Sequence, residues 1–267
     1  MIQAIHPKPT PKANPAAIIH EGNARFTVLT SRLIRLEFDP QKNFEDHASQ
    51  VFLYREQIVP EFHTWRHDGW LHIETEHIHL SFAENGRFHW RDLNIVLKQT
   101  GKTWHYSYPD HGNLGGTVRT LDSTDGRLSF PDGLVSRSGW AVVDDSLSLI
   151  FDENEWLQPR ETTPEKKDLY FFGYAQDYLS AITDYQRVSG KPDLLPRWAL
   201  GNWWSRYWAY SDNDLLALMD EFSQRHIPLS VCIVDMDWHI TKTGNASSGW
   251  TGYSWNRELF PEPTRFI

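Results

Sequence analysis

WALGNWW (198–204), SDNDLLALMDEF (211–222) and LSVCIVD (229–235) follow one another along the chain, and how these three runs are read decides its organisation. The first and third are apolar runs of strand length and read as buried strands. Between them Ser211, with Asp214 three residues on, is an acidic capping pattern, and Leu215, Leu218, Met219 and Phe222 line one face of a helix to about His226. Strand, helix, strand in so short a stretch is a βαβ unit with a right-handed parallel crossover. In parallel sheets and barrels, function sits at the carboxyl ends of strands, so the residues after each apolar run are the ones to inspect. They are Ser205, Arg206 and Tyr207 after the first run, and Asp235, Asp237, Trp238 and His239 at and behind the end of the second. Two carboxylates two residues apart at a strand mouth are costly to desolvate unless a sugar hydroxyl, a metal or an arginine pairs with them. A helix cap at Asp235 or a salt bridge to Arg206 explains the same residues structurally, and spacing alone does not choose.

Upstream, residues 177–189 put Tyr178, Ile182 and Tyr185 at helical spacing before Gly190 and Pro192 stop the helix. The charged stretch RETTPEKKD (160–168) reads as a surface loop ahead of the buried run DLYFFGYA (168–175). Further upstream the period changes to two. RFTVLTS (25–31), RLIRLEF (32–38) and WLHIETEHIHLSF (70–82) alternate apolar with polar residues, as do the stretches around Asn94–Leu97, Gly139–Val143 and Ser146–Ile150. Asp68-Gly69, Asn85-Gly86, Asp125-Gly126 and Asp132-Gly133 punctuate them as turns. The expected fold class is therefore β plus α/β: an extended arm over 1–22, carrying Pro7, Pro9, Pro11 and Pro15; an antiparallel, mutarotase-like β-sandwich over 23–168; a linker strand and helix over 169–196; and the start of an α/β domain over 197–267.

The chain has 267 residues and a formal net charge of −9, a balance that argues against a nucleic-acid partner. No stretch has the length of a membrane span and the first twenty residues lack the apolar core of a leader, so a soluble, cytoplasmic protein is expected. The single cysteine, Cys232, excludes an intramolecular disulfide and, set between Val231 and Ile233, reads as an inert core thiol. Aromatic residues make up 14 % of the chain, with 13 Trp. An indole plane beside carboxylates matches the C–H face and hydroxyl edge of a sugar ring, although tryptophan also fills sheet cores. His77 and His79 share a strand face but have no third metal ligand in reach of the pattern, so neither metal nor cofactor is expected. Asn245-Ala246-Ser247 fits a glycosylation pattern and is expected to stay unmodified without a secretory signal. Asp144-Asp145 reads as a turn or loop exit rather than an acid/base pair.

The blocks RWALGNWWSRYWAYSD (197–212), PLSVCIVDMDWH (228–239) and GWTGYSWNRELFPEP (249–263) resemble, in order, pieces of glycoside hydrolase family 31, the α-glucosidase and α-xylosidase family. NLGGTVRTLDSTDG (113–126) and GLVSRSGWAVVDDS (133–146) are similar to the amino-terminal sandwich of one branch of that family. The resemblance implies a retaining α-glucosidase acting on short oligosaccharides, with a (β/α)8 catalytic barrel that begins near residue 197. Such an enzyme uses one carboxylate as nucleophile and a second as acid/base. The family's nucleophile block, of the type Trp-x-Asp-Met-Asn-Glu, does not occur in the chain, so no catalytic carboxylate is assigned. The chain is accordingly expected to be the amino-terminal part of an enzyme, inactive alone, whose barrel is completed by further sequence or a partner chain, with a homo-oligomer left open; the alternative is a stand-alone carbohydrate-binding or assembly module. Substrate-holding roles carry over from the resemblance: Asp235 as ligand of terminal glucose hydroxyls, Met236 as pocket wall, Tyr207 toward the sugar beyond the cleaved bond, and Asp122 as the sandwich loop's contribution. A turn carboxylate near Gly126 is an equally good reading of Asp122.

Overall fold

A computed structural model describes residues 8–117, 120, 122–242 and 253–267. The chain divides into two compact units, Met1–Pro192 and Asp193–Ile267. It is mostly antiparallel β-sheet with few helices, and among the described residues no helix is long and apolar enough to cross a membrane.

The first unit carries β1 (Ile18–Glu21), β2 (Ala24–Val28), β3 (Leu33–Phe38), β4 (Phe62–His67), β5 (Trp70–Thr75), β6 (Ile78–Ala83), β7 (Leu93–Leu97), β8 (Thr103–His105), β9 (Trp140–Asp144), β10 (Ile150–Phe151), β11 (Leu157–Gln158), β12 (Lys167–Gly173) and helix α1 (Tyr178–Ser189). Two five-stranded antiparallel sheets result, in the orders β1-β2-β3-β12-β9 and β4-β5-β6-β7-β8. The hairpin β4–β5 shows how sequence makes such pairs. Asp68 and Gly69 both take positive φ (49° and 77°), the two-residue turn whose twist matches that of the strands, and His67 therefore pairs with Trp70. Alternation then sends Leu71 and Ile73 of β5, and Ile78, Leu80 and Phe82 of β6, into a core. Phe26, Leu36 and Phe171 of the other sheet enter the same core, and the Phe26 and Phe82 rings meet edge to face at 5.2 Å. Each such side chain, fully buried, contributes about 1.5–3 kcal/mol of transfer free energy.

The opposite face of the first sheet departs from the half-buried strands expected of RFTVLTS and RLIRLEF, because β2 and β3 are buried at every residue. Its polar side chains are covered yet paired. Arg35 donates to both carboxylate oxygens of Asp168 (2.8 and 2.7 Å), and Arg160 bridges Asp168 (2.6 Å) to Asp145 (3.0 Å). Arg25 grips Glu37 with two bonds of 2.6 and 2.8 Å. Burial would push the Asp168 carboxyl up, but the charge and hydrogen bonds of Arg35, with Arg55 and Arg160 behind, outweigh it and hold the group well below the ordinary carboxylate range. For Glu37 burial wins over Arg35 and Arg25, and its carboxyl is pushed up. The expected loop 160–168 is thus pinned at both ends by buried charges, and Asp145 is an ion-pair partner while Asp144 stays exposed.

Three further expectations change. The last residues of the arm, Ile18–Glu21, are an edge strand on β2. DLYFFGYA is no linker but the strand between β3 and β9, which is where an apolar run on both faces belongs. Helix α1 has the expected limits, capped by the Asp177 side chain on the Ser180 N–H and ended at Gly190 (φ 96°). It turns Ala181, Asp184 and Val188 inward, however, and leaves Ile182 41 % exposed, because Asp184 accepts a 2.6 Å bond from the Tyr174 hydroxyl.

The second unit has β13 (Trp203–Trp204), α2 (Asp212–Gln224), β14 (Val231–Cys232) and the short helix α3 (Pro263–Phe266). β13 and β14 are parallel, Trp203 opposite Val231 and Trp204 opposite Cys232. The Ser211–Asp214 pair forms a reciprocal capping box at the start of α2. Only Leu215 of its apolar face is fully buried; Leu218, Met219 and Phe222 are half-buried. WALGNWW is not one buried strand. Arg197–Leu200 is a 3-10 turn, two residues pair, and Trp203 is 47 % and Leu200 75 % exposed. LSVCIVD likewise pairs only at Val231–Cys232. Each of these strands has one hydrogen-bonded neighbour among the described residues, too few to extend the ladder over the whole apolar run.

Candidate functional site

The parallel register of β13 and β14 puts both carboxyl ends at one end of the unit. Tyr207 lies three residues beyond β13 and is 79 % exposed. Asp235 lies three residues beyond β14 and is exposed, with Met236 half-buried beside it. The structural readings of Asp235 find no support. Arg206 stacks over the Trp208 ring at 4.8 Å instead of pairing with Asp235, and no helix begins at Asp235 among the described residues. Asp235 is an exposed carboxylate at a strand mouth, and none of the described residues pairs with it. Asp237 differs from it. Its φ of 60° turns the chain back, a conformation that aspartate tolerates, and its carboxylate accepts a 3.3 Å bond from the Thr241 hydroxyl.

Behind this mouth an aromatic cluster fixes the chain. Trp238 and Tyr253 stack at 5.8 Å with planes 4° apart, and Trp255 and Phe260 lie within 5.7 Å of each other. His239 is buried and bridges to Trp255. Cys232 is half-buried, and burial pushes its thiol up, away from the reactive thiolate. Asn245 lies outside the described residues.

Asp122 belongs to the first unit, exposed in a turn where its own N–H donates to the Thr120 hydroxyl (3.1 Å). The histidine expectation also changes partner. His79 meets His72, ring nitrogens 3.1 Å apart, rather than His77, and Trp65 lies nearly parallel to both rings. Burial first, then His79 and His67, lowers the His72 pKa. The signal was present in WRHDGWLHIETEHIHL (65–80): an Asp-Gly hairpin sets Trp65 opposite His72, and alternation sends both outward. Among the described residues no group of three metal-ligating side chains forms.

The family model described as the glycosyl hydrolases family 31 TIM-barrel domain matches residues 192–267, the stretch that holds β13, α2, β14 and Asp235. An α-xylosidase, XylQ, of Lactiplantibacillus pentosus is 27 % identical over 254 residues, 91 % of this chain and 31 % of that protein. Residues 192–267 thus match the barrel domain of glycoside hydrolase family 31, and the chain as a whole is similar to members of that family. An α-xylosidase of Saccharolobus solfataricus is 28 % identical over 157 residues, 58 % of this chain and 20 % of its own length. The chain therefore spans about a fifth to a third of the length of these family 31 relatives. In fold it is similar to a family 31 dextranase of Flavobacterium johnsoniae (TM-score 0.63, 16 % identity, 92 % of this chain and 34 % of the other). A family 31 α-xylosidase of Xanthomonas citri aligns with a TM-score of 0.64 at 12 % identity, over 94 % of this chain and 47 % of the other.

Proposed function

We propose that this chain is the amino-terminal part of a retaining α-glucosidase that removes terminal α-linked glucose from short oligosaccharides. The observation that carries the reading is Asp235, an exposed carboxylate just past the carboxyl end of β14 in the parallel β13–β14 pair, within the stretch matched by the family 31 barrel domain. In this reading the two sheets of the first unit are a β-sandwich and β13-α2-β14 opens a (β/α)8 barrel. Asp235 accepts two hydroxyls of the terminal glucose and fixes its ring, Met236 walls the pocket, Tyr207 meets the sugar beyond the cleaved bond, and Asp122 is a further sugar ligand. The carboxylate that attacks the anomeric carbon, and the one that protonates the leaving oxygen, stand about 5–5.5 Å apart in retaining enzymes and come from further barrel strands. Residues 1–267 alone therefore bind without hydrolysing, act in the cytoplasm as part of a longer polypeptide or with a partner chain, and require no cofactor.

The names of the two curated relatives favour a second reading, in which the terminal sugar is xylose. Aryl α-glucoside and aryl α-xyloside turnover by the native polypeptide that contains these residues separates the two. Asp235→Asn is expected to lower kcat/KM by at least about a hundredfold, as for a lost charged contact to a bound hydroxyl pair. Unchanged kinetics in that variant overturn the assignment of Asp235, and hydrolysis by residues 1–267 alone overturns the placement of the chemistry. An immunoblot of source cells reports on the polypeptide: a band at the size of 267 residues supports the binding module in place of the enzyme part.

A further inference from the structure

A cleft of about 240 Å3 opens in the first unit between β8 and β9, the last strands of the two sheets. Every residue lining it lies between Trp104 and Leu169, within the first unit, and Asp235 is not among them. Its floor is aromatic. Trp104 and Trp140 meet at 6.4 Å with planes 62° apart, Tyr106 stands edge-on to Trp104, and Tyr108, 51 % exposed, lies at the mouth. Around these rings are Asp110, Asn113, Asp132 and Asp144, and no lysine or arginine lines the cleft.

Part of this rim is held in place without any ligand. Asp110 accepts from the Gly112 N–H (3.1 Å), the Asn113 amide (3.1 Å) and the Ser136 hydroxyl (2.9 Å). Asn113 in turn accepts from Gly133 (2.7 Å) and Gly115 (2.9 Å) and donates to the Gly133 carbonyl (3.0 Å). A Cβ on Gly133 would fall 2.4 Å from the Gly115 oxygen, so the two loop segments touch backbone to backbone. Tyr106 keeps its proton, because burial, and the charge of Asp144 behind it, push the phenol up. The cleft thus offers carboxylate acceptors, a phenol donor and flat apolar rings at fixed positions. Anions are excluded by three carboxylates. A neutral ring with hydroxyls at its edge and C–H groups on its face satisfies both the rings and the acceptors. The volume lies below the ~300–1,000 Å3 of sites for drug-sized ligands, which limits the occupant to about one ring.

We propose that this cleft between β8 and β9 is a second, non-catalytic carbohydrate subsite that takes one neutral pyranose ring of an oligosaccharide. The proposal rests on the carbohydrate reading above for its ligand class but not on the barrel residues. Its test is NMR titration of the 267-residue chain with methyl α-glucoside, methyl α-xyloside and maltose, following the indole N–H of Trp140 and the side-chain amide of Asn113. Both signals are expected to shift with a millimolar midpoint, and Tyr108→Ala to weaken binding about tenfold. Asp144→Asn, exposed and safe for folding, is expected to weaken it several-fold. Asp235→Asn leaves the midpoint unchanged, so failure of the barrel assignment and failure of this one are read separately. Absence of shifts at about 50 mM sugar, an unaltered midpoint in both cleft variants, or shifts caused by tetramethylammonium but by no sugar would each overturn it.

Discussion

β12 and the β13–β14 pair begin as the same kind of sequence, an apolar run bounded by turn residues, and end as different structures. β12 runs for seven residues between β3 and β9, buried from Asp168 to Gly173. β13 and β14 pair over two residues each, with Trp203 largely uncovered. An apolar run supplies side chains that favour burial; it does not supply the neighbours. β12 has a hydrogen-bonded strand on each edge, the shared core on one face, and on the other a second apolar cluster that takes Tyr170 and Phe172, next to a group of paired charges that includes its own Asp168.

If that account of β12 is right, both of its faces are sensitive to truncation, each for its own reason. Asp168→Ala is expected to cost about 3–5 kcal/mol in urea unfolding, since it leaves Arg35 and Arg160 buried without their partner. Phe171→Ala, on the opposite face of the same strand, is expected to cost about 3–5 kcal/mol through the cavity it leaves. A loss below about 1 kcal/mol in either would break the comparison. The pH dependence follows from the direction of the Asp168 shift. A carboxyl held lower in the folded chain than in the unfolded one contributes stability that is fully present above the ordinary carboxylate range, and lost as pH falls below it toward the folded value. The urea midpoint is expected to drop between about pH 4 and pH 2, and Asp168→Asn to flatten that drop.

The second unit predicts smaller effects. Ser211→Ala removes the capping box of α2 and is expected to cost about 1 kcal/mol, read as a lower thermal midpoint of the Asp193–Ile267 signals in NMR. Trp203→Ala, at a half-exposed site on a two-residue strand, is expected to cost less than about 1 kcal/mol. A cost equal to that of Phe171→Ala would mean that β13 is as well supported as β12.

Legibility tracked the range of the interaction. The helix limits were readable because their signals are local: Gly190 at the end of α1, and Ser211 with Asp214 within one turn at the start of α2. The alternation within β5 and within β6 was readable because it is local to each strand, whereas the turn that divides residues 70–82 into two strands carried no marked signal. The buried polar face was not, since Arg35 and Glu37 look solvent-facing in RLIRLEF and find cover only from segments around residues 45–55 and 145–160. At the strand mouth, Asp235 was legible as the first polar residue after an apolar run. The face shared by Trp65 and His72 had its signal in the Asp68-Gly69 hairpin and its alternation, but the cleft between β8 and β9 had none, because it joins residues from different strands at distances no periodicity records.

What the sequence determined by itself was the alternation of β5 and β6, the stop of α1 and the cap of α2, and the order strand, helix, carboxylate that places Asp235 at a parallel strand's end. Those are consequences of backbone geometry over a few residues, where side-chain period and capping chemistry act directly. The tertiary structure alone decided which apolar runs became long strands, which arginines were buried, and where aromatic rings and carboxylates came to share one cleft. Burial and pairing depend on what arrives from elsewhere in the chain, and a charge such as Asp168 is tolerable inside only once Arg35 and Arg160 have been brought to it.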